Sequence, residues 1–430
     1  MARAMKDSGI EWIGEIPEGW ETNTAFQIFT QVKNKNEGLQ EQNLLSLSYG
    51  KIKRKNIETV GGLLPENFDG YNIIEADDIV LRLTDLQNDQ KSLRVGLSPE
   101  RGIVTSAYLT LRNRSTSLPK YLYYYLHAFE ISKGFYGMGA GVRQGLNWDG
   151  LKWLKILTPP VSEQEKIVSF LDAECAQIDV VIEQTRASID EYKKLKQSVV
   201  THAVTKGIRP DRKMKDSGID WIGEMPEEWE VHKLCWDYNA ELGKMLDAKR
   251  VTGEHLHPYI KNVDVQWWTI NSSNLDEMDF TDDEFERYTI KHGDLMICEG
   301  GEIGKCAVVP DGFPDGIFYQ KALHRVRPRN CKLSNTDFLS YVIFCMAKQD
   351  AFETTHEKAT IQHLPGDALS QLRIPTPPFF EQCQIVSYII NYTQKNDALI
   401  HAKEQLISEL ESYKNSLIFE YVTGKKEVLK

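Results

Sequence analysis

The chain states one message twice. MKDSGIEWIGEIPEGWE, from Met5 to Glu21, returns as MKDSGIDWIGEMPEEWE from Met214 to Glu230, 209 residues later, with fourteen of seventeen positions identical. TPPVSEQEKIVSFL, beginning at Thr158, returns as TPPFFEQCQIVSYI at Thr376, 218 residues on, and LNWDGLKWLKI (Leu146 to Ile156) returns as LPGDALSQLRI (Leu364 to Ile374) at the same spacing. Fainter echoes lie between: YNIIEAD at Tyr71 with YTIKHGD at Tyr288, and AYLTLR at Ala107 with ALHRVR at Ala322. A tandem duplication constrains the fold more than any single motif. Each half holds an entry segment, a variable body and a closing segment, within a 430-residue length that accommodates two to four domains.

The closing segments read as helices. Ile167, Leu171, Ile178, Ile182, Ile189, Tyr192, Leu195 and Val199 recur at steps of three, four or seven. Adding 218 gives Ile385, Ile389, Asn396, Ile400, Ile407, Leu410, Tyr413 and Leu417, of which seven are apolar, so both helices carry one stripe in one register. The remaining positions are rich in Glu, Lys, Gln and Ser, as a solvated face should be. A stripe along about 40 residues, roughly 60 Å, needs cover. The other helix is the expected partner, as in a coiled coil, with packing on its own body as the alternative. Asn396 is either a register-setting polar group or a tolerated irregularity.

The bodies read as β-rich with short helices. DDIVLRL (Asp77 to Leu83), AYLTLR, DLMICEG (Asp294 to Gly300) and KCAVV (Lys305 to Val309) have strand character. KYLYYYLHAF (Lys120 to Phe129) and DFLSYVIFCMA (Asp337 to Ala347) read as equivalent buried helices, and GIRPDRKMK (Gly207 to Lys215) links the halves.

Composition removes several classes. With 41% hydrophobic and 26% charged residues the chain is an ordinary globular protein. No apolar run is long enough to cross a bilayer, and MARAMKDSGI lacks the apolar core of a signal peptide. Seven scattered cysteines without a Cys-x-x-Cys pair fit reduced thiols in the cytoplasm. The net charge of −11 means that any nucleic acid must be met by local basic patches or with help from a partner.

No catalytic centre emerges. The Thr-Pro-Pro sites suggest the Asp/Asn-Pro-Pro-Tyr/Phe motif of amino-methyltransferases, but Thr158 and Thr376 lack the acceptor, and Pro suits a helix start. EGGEIGK (Glu299 to Lys305) lacks the ending and spacing of a P-loop, though a glycine turn can approach a ligand. His255 and His257 have no companion ligands, and Glu191-x-Lys193 lies on the helix. Basic and polar clusters are more suggestive: YGKIKRKN (Tyr49 to Asn56), GAGVRQGLN (Gly139 to Asn147) and YIKNVDVQWW (Tyr259 to Trp268). Arg, Lys, Asn and Gln can read base edges in the major groove, although any one such stretch is often plain solvated surface.

The entry KDSGIEWIGEIPEGWE, the block LNWDGLKWLKILTPPVSEQEKIVSFLD and its partner RIPTPPFFEQCQIVSYI resemble the specificity subunit of type I restriction–modification enzymes, over essentially the whole chain. The fold class this resemblance implies is α+β: two β-rich globular target-recognition domains separated by two long antiparallel coiled-coil-like helices, with an internal pseudo-two-fold repeat. Its expected parts are residues 1–157 and 209–375 as recognition domains, the second including the linker, and residues 158–208 and 376–430 as helices. It implies a subunit that is not itself an enzyme and carries no cofactor or metal. Such a subunit binds a bipartite, asymmetric site in double-stranded DNA. It recruits two methyltransferase subunits, which carry S-adenosylmethionine, and translocating nuclease subunits.

Expected DNA-binding residues are Lys51, Lys53, Arg54, Arg82, Arg143 and Gln144 in the first body. Those in the second are Lys261, Asn262, Gln266, Trp267, Lys305 and Lys321. The first body is expected to have no counterpart of the EGGEIGK turn at the matching place. Expected subunit or helix interfaces use Trp12, Trp20, Leu171, Ile178 and Ile182, with Trp221, Trp229, Ile389 and Ile400 in the second half. Ile10, Trp12, Ile13, Ile16 and Trp20 recur as Ile219, Trp221, Ile222, Met225 and Trp229, which also fits plain packing on equivalent cores. Two other classes stand beside this reading: a methyltransferase with a built-in recognition domain, and a coiled-coil scaffold unrelated to DNA.

Overall fold

The computed structural model describes residues 3–56, 68–86, 89, 92–138, 145–245, 253–352 and 363–428. It divides into two compact units, Met1–Arg186 with Glu404–Lys430, and Ala187–Lys403.

In the first unit the repeated entry segment forms a hairpin, Met5–Asp7 against Glu15–Pro17. Its turn is set locally: Asp7 accepts from the Gly9 amide, Ser8 Oγ accepts from the Ile10 amide, and Gly14 takes a φ of 73° that a side chain would strain. The next strand, Glu21–Thr24, pairs antiparallel with Lys155–Thr158. That pairing brings the two ends of the body together, so the body is an excursion closed by a two-stranded clasp. The body's central sheet has the spatial order Phe29–Gln31, Leu109–Asn113, Ile79–Leu81, Val95–Leu97. Helix Pro119–Ile131, with Pro at its first turn, buries most of its surface against this sheet and the long helices.

The second unit repeats the plan. Its hairpin is Met214–Asp216 with Glu224–Pro226, and its clasp is Glu230–Lys233 with Arg373–Thr376. Its sheet runs Tyr238–Leu242, Leu323–Pro328, Leu295–Cys298, Cys306–Val308, covered by helix Thr336–Lys348. The faint echoes in sequence lie at one shared turn but are one residue out of register there: the echo sets Asp77 against Asp294, whereas in the structure Asp77 matches Gly293, both with positive φ, and Asp78 matches Asp294. Asp78 accepts from the Glu75 amide and pairs with Arg112; Asp294 accepts from the Lys291 amide and pairs with Arg327. The strands and short helices expected in the bodies form where the sequence places them.

The closing segments are single helices, Val161–Lys206 and Phe379–Val422. Within each unit their segments pack antiparallel. In the first, Lys414 Nζ lies 2.6 Å from Asp179 and the Phe170 and Tyr421 rings are 4.5 Å apart. In the second, Lys196 Nζ lies 2.7 Å from Asp397. Lys196 and Asp179 become Lys414 and Asp397 on adding 218, so the two pairs are copies of each other. Asn396 is buried and donates to the Tyr192 carbonyl at 3.1 Å, which satisfies its amide inside the pair.

One part of the expected stripe is corrected. Leu195 and its repeat Tyr413 are 48% and 54% exposed, and the buried row continues through Val200 and Val204, repeated as Ile418 and Val422. At 3.6 residues per turn the row passes over Lys196 and Lys414. Their stems lie on it while their ammonium groups reach the carboxylates. A purely apolar count slips to the neighbouring residue.

Candidate nucleic-acid interface

The repeated Thr-Pro-Pro-x-x-Glu-Gln run is a clasp lock. Glu163 Oε2 accepts from the indole N–H of buried Trp20 at 2.9 Å, and both Glu163 oxygens accept from Arg3 at 2.5 and 2.7 Å. Arg3 also sits over the Trp20 ring, and Glu163 raises its pKa. Glu381, Trp229 and Arg212 repeat every contact. The adjacent glutamines are equally matched. Gln164 donates to the Pro159 carbonyl and accepts from the Leu118 amide; Gln382 donates to the Pro377 carbonyl and accepts from the Asn335 amide. Each ties the long helix to the start of the short helix. The Thr158 hydroxyl donates across the clasp to the Glu21 carbonyl, whereas that of Thr376 donates to the Ile374 carbonyl within its own strand.

The edge of the second body gathers residues distant in sequence. Strand Leu256–Ile260 runs parallel to Phe318–Tyr319, so Lys261 and Lys321 leave the sheet on one side. Asn262 Nδ2 donates to the Gly300 carbonyl at 2.8 Å, tying this corner to the loop 299–305. That loop needs its glycine at 304, where φ is 76° and an added Cβ would meet the Phe352 ring at 2.5 Å. The hairpin Val265–Gln266 with Thr269–Ile270 stands beside it. Trp267 donates to Glu302 at 2.6 Å and lies under Lys348, while Val263 is 70% exposed. Gln266 is exposed, its Oε1 3.4 Å from Lys305 Nζ.

In the first body the topologically matching loop is Arg82–Arg94, between strands Ile79–Leu81 and Val95–Leu97. Leu146 donates to the Leu83 carbonyl just as Leu364 donates to the Glu299 carbonyl. The expectation that the first body has no counterpart of the EGGEIGK turn at the matching place is thereby corrected: a loop stands there, longer and unrelated in sequence. Arg94, its last residue, is fully buried. Its guanidinium donates to the carbonyls of Arg82, Thr84, Asp85 and Asp89. Lys305, only 8% exposed, holds the equivalent place in the second body. Glu130 accepts from the amides of Arg94 and Val95, and its burial pushes its pKa up to about 7. Beside this loop the hairpin Leu45–Ser48 with Lys51–Arg54 carries the basic cluster.

The family model for the type I restriction modification DNA specificity domain matches residues 17–190 and 226–410, one copy per repeat. The chain belongs to that family. The putative type I restriction enzyme MjaX specificity subunit of Methanocaldococcus jannaschii is 24% identical, with 97% of this chain and 96% of the relative aligned. The MjaVIII specificity subunit of the same organism is 22% identical over 96% of this chain and 94% of its own length. Two solved structures share the fold. A chain from work on complex assembly and conformational transition of the type I R-M system has a TM-score of 0.70 at 16% identity, covering 96% of this chain and 99% of that one. The HsdS subunit of Thermoanaerobacter tengcongensis has a TM-score of 0.53 at 15% identity, covering 96% and 98%.

Within this specificity-domain chain the sequence-predicted residues divide into three groups. Lys53, Lys321 and Gln266 present exposed side chains at body edges. Lys51, Arg54, Arg82 and Lys261 are at or near the surface and lie near Asp179, Glu100, Asp89 and Asp276. Exposed pairs of this kind contribute about 0–1 kcal/mol, so an approaching phosphate competes readily for the cation. Asn262 and Trp267 hold the corner together. Lys305 is corrected from a surface cation to a buried support for Gln266, because strand 306–308 draws its stem into the core. Arg143 and Gln144 lie outside the described residues.

Of the predicted interface residues, Trp20, Trp229, Leu171 and Ile389 are buried completely, and Ile178, Ile182 and Ile400 nearly so. They hold each unit together. Trp12 packs among Tyr125, Phe129 and Phe419, and Trp221 is partly buried against the second core. Sequence reasoning missed Arg94 and Glu130, and the only available signal was their position beside strand and helix. His257 packs on Phe285 and Phe318, and among the described residues no group of three or more His, Cys, Asp or Glu is placed to hold a metal. Among the described residues no helix is long and apolar enough to cross a membrane.

Proposed function

We propose that this chain is the non-catalytic, cytoplasmic DNA-recognition subunit of a type I modification and restriction complex. Each body, within residues 1–157 and 209–375, reads one half of a bipartite, asymmetric site. The helices of residues 158–208 and 376–430 form an antiparallel coiled-coil-like spacer with pseudo-two-fold symmetry. The observation that carries this reading is the contrast inside the duplication: the Trp–Glu–Arg contacts of the clasp locks repeat, whereas the body edges do not.

Repeated surfaces suit two copies of one partner, which the family resemblance makes the methyltransferase subunit. Val181 and Leu399 are repeat-related and exposed, as are Leu195 and Tyr413. Each unit therefore presents one exposed apolar member of each pair, from opposite helices. Restriction and translocation subunits would join that assembly. The net charge of −11 supports a division of labour in which the partner supplies much of the phosphate contact.

Methylome sequencing of cells with and without this gene tests the proposal. Two unlike half-sites around an unspecified spacer, methylated on adenine, are expected; a continuous palindrome contradicts it. The purified chain should also show no S-adenosylmethionine binding, whereas saturable binding would favour a methyltransferase with its own recognition domain.

A further inference from the structure

The hairpin of the first body contains an outlier that its own packing does not explain. Ser48 and Lys51 are paired, so the turn is the two-residue step Tyr49–Gly50, and both residues have positive φ, 47° and 73°. Such turns ordinarily use Asn, Asp or Gly, because a bulky residue with positive φ is strained. Tyr49 nevertheless stands there 76% exposed. Its side chain makes no hydrogen bond, ion pair or ring contact among the described residues. Trp268 in the second body offers the comparison. It too has a positive φ, 69°, but its ring packs on Tyr341 and Phe344, and that packing offsets the strain.

The turn is held firmly from below. The Gly50 amide donates to the Leu93 carbonyl, and a Cβ on Gly50 would crowd the Leu93 side chain at 3.2 Å. Leu93 adjoins Arg94, whose guanidinium ties down the loop beneath. Gly96 lets the ribbon lie close, since a Cβ there would meet Leu47 at 2.6 Å and Ile52 at 3.0 Å. Leu45, Leu47 and Ile52 face inward, and by strand alternation Ser46, Ser48, Lys51 and Lys53 share the outer face. The result is a two-stranded ribbon, polar and basic on its outer face, where Lys51 also lies 3.8 Å from Asp179 of the long helix, with a strained aromatic at its tip.

We propose that this ribbon, Leu45–Arg54, is the element of the first body that enters the DNA major groove, with the Tyr49 ring contacting bases at its tip. The major groove admits a two-stranded ribbon of this width. Strain retained at an exposed site with no internal partner points to an external one. The inference rests on the DNA-recognition reading above and names which part of the first body reads.

The test uses the full chain assembled with its methyltransferase subunit, titrated by fluorescence anisotropy against a duplex carrying the methylome motif. Controls have one half-site scrambled at a time. Tyr49→Asn suits a positive φ, so the melting temperature should hold or rise. Affinity for the intact target should fall roughly tenfold, the order of one lost base-edge contact in the major groove. On the duplex with the first half scrambled, variant and wild type should bind alike, and Tyr49→Phe should retain most of the affinity. Binding of the intact target by Tyr49→Asn within twofold of wild type overturns the inference. Failure of the wild-type complex to prefer its motif over scrambled duplex instead overturns the DNA-recognition reading beneath it.

Discussion

The clasps and the body edges descend from the same duplication yet differ in how far they have moved apart. Trp20, Glu163 and Arg3 on one side, and Trp229, Glu381 and Arg212 on the other, make the same contacts. The loops Arg82–Arg94 and Glu299–Lys305 occupy equivalent places but share neither length nor sequence; what they have in common is a terminal buried cation and a carbonyl that accepts from Leu146 in one and Leu364 in the other. The difference follows from where each side chain finds its partner. Glu381 is buried and Glu163 partly so, and neither can change alone without leaving the indole N–H of a fully buried tryptophan unpaired. A loop whose side chains face outward carries no such internal constraint, and its supporting cation can be Arg or Lys.

The largest expected effect tests whether the clasps are equivalent. Trp20→Ala and Trp229→Ala should each cost about 3–5 kcal/mol, read by urea denaturation, since both empty a fully buried site. A loss in one unit and none in the other would break the comparison.

The short helices should differ instead. Pro119–Ile131 buries His127 and Glu130, whereas the matching places on Thr336–Lys348, 217 residues on, are Phe344 and Ala347. Burial raises Glu130 to about 7, above its ordinary 4.5, so its contribution to stability is lost as pH rises toward and through 7. Burial, with Lys414 nearby, lowers His127 to about 4 from 6.5, so its contribution is lost as pH falls through that window. The two cancel between pH 5 and 6.5. Glu130→Gln should therefore make thermal stability fall on acidification from pH 6.5 to 5, and His127→Asn should make it fall on going from pH 5 to 7. Each slope should amount to about 2–3 kcal/mol. Melting curves that stay parallel across pH for both variants would contradict the assignment.

At the second edge, Asn262→Ala removes the tie to Gly300, a hydrogen bond of about 0.5–1.5 kcal/mol, and by loosening that corner should weaken recognition in one half-site while leaving the other half unchanged. Competition binding against duplexes altered one half at a time reads this directly. The smallest effect is expected at Lys53, exposed and without an ion pair among the described residues. Lys53→Ala should lower the slope of log affinity against log salt by about one.

The duplication, strands, short helices and long helices are legible in the sequence because each leaves a periodic or repeated trace. The helix register at Leu195 and Tyr413 is not, because Lys196 and Lys414 read as polar while their stems follow the buried row. The pairing of Trp20 with Glu163 spans 143 residues and leaves no local mark. Arg94 looks like one more surface cation until strand Val95–Leu97 draws it inward, and Lys305 misleads for the same reason. Tyr49 reads as part of a basic run. Only a positive φ on a bulky residue separates it from the lysines and arginine of that run.

The most direct test of the two-headed account is an exchange of one body. Residues 234–372, between the strands of the second clasp, would be replaced by the corresponding body of another specificity subunit and the methylome sequenced. Because the clasp strands Glu230–Lys233 and Arg373–Thr376 remain, the scaffold should close as before. The account predicts a methylated motif in which one half changes while the other half and the spacer stay as they were. A motif altered in both halves would contradict it.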